Sequence, residues 1–137
     1  MKKTSLMLAM VLGLLVSGCA VKKYCFVEPS LLEVRTVNPG SILVKKTECY
    51  GRLTADECMT TLELTYLGKN GGNIRVASKV IIKSTPVITE ALYTENSKFI
   101  EFQDVKIEVL KVENNLLTYK LVHILTQGCS TVNGKVK

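Results

Sequence analysis

The sequence predicts an all-β domain, a small antiparallel barrel or two-sheet sandwich of seven to eight strands, with one short helical turn near residues 55–60. Two observations predict this class. Apolar and polar residues alternate with period two in several stretches, most cleanly over residues 61–67 and 74–83. Turn-forming residues then divide the chain at short intervals, as at Asn38-Pro39-Gly40-Ser41 and Asn114-Asn115.

Each element follows from its residues. Residues 31–37 form a strand candidate, with Glu33 and Arg35 interleaved among apolar neighbours. In Asn38-Pro39-Gly40-Ser41, Pro presets φ at the second position and Gly accepts positive φ at the third, which fits a type II turn. Residues 41–47 return as a partner strand, and the run Ile42-Leu43-Val44 suits a central position in the sheet. Thr54 followed three residues later by Glu57 has capping-box spacing, with Leu53 and Cys58 at staple positions. That predicts a helical turn over residues 55–60. Asp56 and Glu57 then fall in its first turn, where the helix dipole favours anions without any catalytic role.

Leu62, Leu64 and Tyr66 define one face of the next strand, opposite Thr61, Glu63 and Thr65. Residues 68–73 are glycine-rich but lead into a second alternating strand, not a helix, so a hairpin loop is expected in place of a phosphate cradle. Ile74, Val76, Ser78, Val80 and Ile82 share a face, and Arg75, Lys79 and Lys83 lie on the other. Pro86 ends that strand or marks a sheet edge. Residues 88–94 admit two readings: Thr85-Pro86 suits the cap and first position of a helix, and the β-branched density favours a further strand. Residues 98–102, 105–113 and 116–125 complete the set. Asn114-Asn115 predicts a type I′ hairpin that pairs Val112 with Leu117 and Leu110 with Tyr119. The apolar parity switches between Val109 and Leu110, which predicts a β-bulge there. The same register places His123 on the core face with Leu121. Residues 130–137 read as a frayed tail.

The start of the chain carries an address. Met1-Lys2-Lys3 precedes an apolar run over residues 6–16, and Ser17-Gly18-Cys19 follows. This is the form of a secretory signal peptide, and the run is shorter than the roughly 20 residues a transmembrane helix needs. Val16-Ser17-Gly18-Cys19 resembles the lipobox of bacterial lipoproteins; the resemblance covers the targeting segment alone. It implies cleavage after Gly18, a diacylglyceryl thioether on Cys19 and acylation of the new amine. Each buried acyl methylene stabilises the anchor by about 0.8 kcal/mol. If the host is Gram-negative, Ala20, where an Asp would hold the lipoprotein at the inner membrane, implies outer-membrane sorting facing the periplasm. The expected organisation is a cleaved leader over residues 1–18, a lipidated tether over 19–30, a β domain over 31–129 and the tail. Tyr24 and Phe26 in the tether lie either at the bilayer interface or against the domain.

Removing residues 1–18 leaves 119 of the 137 residues, one domain of ordinary size. Lys2 and Lys3 account for two of the +6 charges, so the exported part keeps +4. Lys22-Lys23 lies where it would meet an anionic bilayer, at about 1 kcal/mol per basic residue. No basic stripe with interleaved aromatics points to nucleic acid. Four cysteines follow Cys19, and an oxidising compartment favours two disulfides. The expected pairs are Cys49–Cys58, closing a short loop, and Cys25–Cys129, tying the start of the domain to its end. With no Cys-x-x-Cys spacing and a single His, the sequence offers no metal site. Nor does it offer a nucleophilic triad, paired catalytic acids or a nucleotide loop.

The expectation is therefore a non-catalytic lipoprotein of the cell envelope, without a cofactor beyond the lipid, that acts as a protein-interaction or structural module. The competing expectation is a ligand-binding or enzyme-inhibiting module of the lysozyme-inhibitor kind, with residues 68–73 as the exposed plug. A large exposed apolar patch would favour docking, and a concave pocket with converging polar groups would favour a ligand.

Overall fold

A computed structural model describes residues 22–51, 57–126 and 129–131. Ten strands form two sheets: β1 Lys22–Glu28, β2 Val34–Val37, β3 Ile42–Gly51, β4 Glu57–Asn70, β5 Asn73–Ile82, β6 Thr85–Thr94, β7 Phe99–Phe102, β8 Val105–Glu113, β9 Leu116–Ile124 and β10 Ser130–Thr131. The larger sheet runs β10-β1-β3-β4-β5-β6, and the smaller runs β2-β9-β8-β7. All pairings are antiparallel except that of β10 with β1. The all-β expectation holds, and the architecture is a two-sheet sandwich.

The alternation read from the sequence sets the core. Leu64, Tyr66 and Ile74 of the larger sheet face Ile107, Leu117 and Leu121 of the smaller, and all six are fully buried. Ile100 and Tyr119 add to the same core from β7 and β9. Asn38–Ser41 turns as expected: Gly40 has φ +89°, and the Ser41 N–H donates to the Asn38 carbonyl at 3.1 Å. The turn does not make a hairpin, however. β2 pairs with β9 and β3 pairs with β1 and β4, so these four residues carry the chain from one sheet to the other. β3 is central, as its apolar run predicts.

Several expectations are corrected. Glu57–Thr60 is strand, not helix, and residues 52–56 lie outside the described residues. Cys49 and Cys58 stand directly opposite in the β3–β4 ladder, so their disulfide holds two strands together and ladder pairing outweighs one capped turn. The segment read as a tether contains β1, which pairs along its whole length with β3. The tail begins with β10, held on β1, and residues 132–137 lie outside the described residues. These two segments raise the strand count from eight to ten. Residues 31–33 turn before β2 begins; Leu32 takes φ +66°, and Glu33 accepts a hydrogen bond from Arg35 at 2.8 Å.

Asn114 and Asn115 both have positive φ, and Val112 pairs with Leu117, as the hairpin reading requires. The bulge falls where parity switches, but Leu110 is its extra residue. Val109, not Leu110, opposes Tyr119, and Leu110 points into solvent. A second shift pairs Ile107 with Leu121 and Lys106 with His123. That shift turns His123 out of the core, and it is exposed.

Candidate functional site

Cys19 and the leader lie outside the described residues. The described chain opens at Lys22, the first residue of β1 and only three positions after Cys19. Both expected disulfides are present, with Cα separations of 5.4 Å for Cys25–Cys129 and 4.0 Å for Cys49–Cys58.

Where the smaller sheet stops, the inner face of the larger one becomes polar. Glu48 on β3 lies there between Lys23 at 3.1 Å and Lys46 at 3.2 Å, and accepts a hydrogen bond from the Tyr50 hydroxyl at 3.0 Å. Burial pushes the Glu48 carboxyl up, but the hydrogen bonds from Lys23, Lys46 and Tyr50 outweigh it and hold the group below its ordinary value. The hydrogen bond to Glu48 raises the Lys23 ammonium in turn. The Glu48 carboxylate and the sulfurs of Cys25 and Cys129 lie within 4.8 Å of one another. Those sulfurs are joined to each other, so they are not thiolate ligands.

Beside this cluster a cleft of about 260 Å³ opens between the sheet ends. Lys46, Glu48 and Thr61 form one wall, and the β7–β8 turn contributes Gln103 and Asp104. Leu62, Val80, Val105 and Ile124 supply apolar surface.

The second distinctive surface is the outer half of the β5–β6 hairpin. It projects past the cover of the smaller sheet, and every residue from Ile82 to Glu90 is exposed. Exposed apolar side chains lie on both faces of the hairpin: Ile82, 55% exposed, and Val87, 46%, share one face, and Ile88, 71%, shares the other with Leu92, 61%, which sits nearer the base. β6 also ends the larger sheet, so one side of its backbone pairs with β5 and the other meets no strand among the described residues. Comparison with protein-family models, curated proteins and solved structures found no match to this chain.

The remaining candidates separate. Asp56 lies outside the described residues. Gly68 and Lys69 extend β4, and the hairpin closes through Gly71 and Gly72, leaving a two-residue turn where a plug loop was expected. Lys69 is held by ion pairing to Glu95, and its N–H donates to Asn115 Oδ1 at 2.8 Å. Arg75, Lys79 and Lys83 do not act as one cationic patch, because Arg75 pairs with Glu90 at 2.7 Å. Sequence reasoning missed Glu48 and the apolar arm. The arm did leave a trace: Val80-Ile81-Ile82 and Val87-Ile88 break the alternation by being apolar on both faces.

Proposed function

We propose that this chain is a membrane-anchored, non-catalytic module of the bacterial cell envelope that docks on a protein partner through the β5–β6 arm. The carrying observation is the set of exposed apolar side chains on the two faces of that arm, Ile88 and Leu92 foremost. Such patches on soluble domains mark interaction sites. The lipobox supports the anchor, and two disulfides suit an oxidising compartment. Because β1 starts three residues after Cys19, an acylated Cys19 would hold the body close to the headgroups, with no room for a flexible stalk. In a Gram-negative host the place would be the outer membrane, facing the periplasm.

The test uses photo-crosslinking residues at Ile88 and Leu92 in the native host, beside a Cys19→Ala variant. One defined partner should be captured from both arm positions and not from an exposed position on β8 such as Leu110. The Cys19→Ala chain should leave the membrane fraction and lose its acyl mass. No arm-dependent capture would remove the docking reading, and unchanged fractionation would remove the anchor.

The cleft favours a second reading, a ligand-binding module. Its charged wall of Lys46 and Glu48 meets apolar surface from both sheets, the pattern of a small-molecule site. A ligand that shifts the amide resonances of Thr61, Gln103 and Asp104, leaving those of Ile88 and Leu92 in place, would favour it.

A further inference from the structure

The backbone of β6 has a defined polarity. The Glu95 N–H donates to the Gly72 carbonyl at 2.8 Å, and Ser78 Oγ donates to the Thr89 carbonyl at 3.2 Å. With Ile82 opposite Thr85 and Ser78 opposite Thr89, the odd-numbered residues of β6 turn their N–H and C=O groups toward β5. The even-numbered ones turn theirs outward. Pro86 falls in the outward set, so its missing N–H costs no bond to β5 and blunts the edge at the arm's tip. Beyond it, Ile88, Glu90 and Leu92 present successive outward donor and acceptor pairs.

Charge selects what this edge can take. Lys79 stands opposite Ile88 and Lys83 sits in the turn; both are exposed, and neither joins an ion pair among the described residues. A second copy brings them no acid, since Glu90, the only acidic residue of β6, already holds Arg75. Ile88 and Leu92 share the outer face with Lys79. We infer that the β6 edge accepts an extended segment of another protein as an added strand, pairing over residues 88–92. The segment carries apolar residues against Ile88 and Leu92 and acidic residues toward Lys79 and Lys83. Main-chain bonds give affinity in this mode, and alternate side chains give specificity. The inference rests on reading the arm as the docking surface.

The probes are labelled seven-residue peptides that carry Val and Glu in turn at every second position, the set that shares one face, with Thr between them: this Glu/Val peptide, a Lys/Val peptide with Lys in place of each Glu, and a Glu/Val peptide N-methylated at alternate residues. Each is titrated against the full exported chain in detergent. The Glu/Val peptide should bind saturably and slow amide exchange at Ile88, Glu90 and Leu92. The Lys/Val peptide should bind about fivefold more weakly, the size expected from two exposed charge contacts. Alternate N-methylation in the inward-facing register should abolish binding, and a Lys79→Glu/Lys83→Glu chain should reverse the charge preference. Binding indifferent to N-methylation, or none at all, overturns strand addition. So does self-association through β6 seen by sedimentation. If partner crosslinks at Ile88 persist in any of these cases, docking stands and only the pairing mode fails; if they vanish too, both fail.

Discussion

The Tyr119 hydroxyl donates a 2.7 Å hydrogen bond to the main-chain carbonyl of Leu43, linking β9 of the smaller sheet to β3 of the larger. Both residues are fully buried, and Leu43 sits where the β3–β4 register shifts between Ile42 and Val44. A tyrosine from the opposite sheet meets a carbonyl at that irregularity. Tyr119→Phe keeps the ring and removes the donor. It should cost about 1–2 kcal/mol, the penalty of losing a buried hydrogen bond and leaving its acceptor unpaired. Urea denaturation should show a lower midpoint at unchanged slope; an unchanged midpoint would show that the bond contributes nothing.

A second tyrosine binds the sheets in the opposite direction. The Tyr66 hydroxyl donates to the Asn115 carbonyl at 3.1 Å, and the same asparagine accepts from the Lys69 N–H. The close approach depends on Gly68, which has φ +105°, and a Cβ there would lie 3.3 Å from both Asn115 Oδ1 and Pro39 Cγ. Gly40 offers the control, with φ +89° and open space. Gly40→Ala should cost about 1–2 kcal/mol from backbone strain alone. Gly68→Ala should cost more, because crowding at the inter-sheet contact adds to a similar strain. Equal losses in the two variants would show that Asn115 and Pro39 move aside freely.

The sequence made the strands legible wherever one face is buried, because alternation and burial are then the same fact. Leu62, Leu64 and Tyr66 are the clearest case. Type I′ chemistry at Asn114-Asn115 was equally plain, since few residues accept two positive φ values in succession. The two bulges of the β8–β9 hairpin were harder. A change of apolar parity announces the one at Leu110, but not that Leu110 itself is the extra residue, with Val109 opposite Tyr119. The other, beside Val122, leaves no apolar signature, so unbroken alternation puts His123 on the core face that the shift turns it away from. β1 is hard to read because Lys22, Lys23 and Cys25 hide its pattern; Cys25 is buried beside a disulfide, not in an apolar stripe. Glu48 could not be found at all, because its significance comes from Lys23 on a neighbouring strand and from Lys46 two residues before it.

Glu48 makes acid stability dependent on one carboxylate. Its folded value lies below the ordinary 4.5. Its contribution is therefore complete above that ordinary value and disappears as pH falls through the folded one. Glu90 and Glu108 are lowered as well, but each pairs with a single cation in place of Glu48's two; solvent screens the exposed Arg75–Glu90 pair, and the half-buried Lys120–Glu108 pair adds a dependence of the same sign. Glu48→Gln should destabilise by about 1–3 kcal/mol at neutral pH, since two lysines lose a charged acceptor. The variant's disadvantage should shrink on acidification below about pH 4.5. A gap between the two chains that stays constant from pH 7 to pH 3 would show that the carboxylate's charge is not what matters.

The two disulfides should differ in weight, because they close loops of very different length. Cys25–Cys129 joins residues 104 apart and Cys49–Cys58 residues 9 apart. In the chain-entropy account a loop of about 100 residues contributes about 4.7 kcal/mol, and a loop shorter than about 15 residues less than about 3. Cys25→Ala/Cys129→Ala should therefore lose more than Cys49→Ala/Cys58→Ala. The structure adds a local effect that loop length does not contain. Among the described residues β10 pairs with the sheet through Tyr24↔Ser130 and Cys25↔Thr131, beside the bond that would be removed. The first pair of substitutions should raise amide exchange at Ser130 and Thr131 well above the rest of the sheet. The second should leave those amides protected, since the β3–β4 ladder still holds positions 49 and 58 opposite one another and the Cys25–Cys129 bond is intact. Equal exchange at Ser130 and Thr131 in the two variants would mean that β10 holds to β1 without its covalent tie.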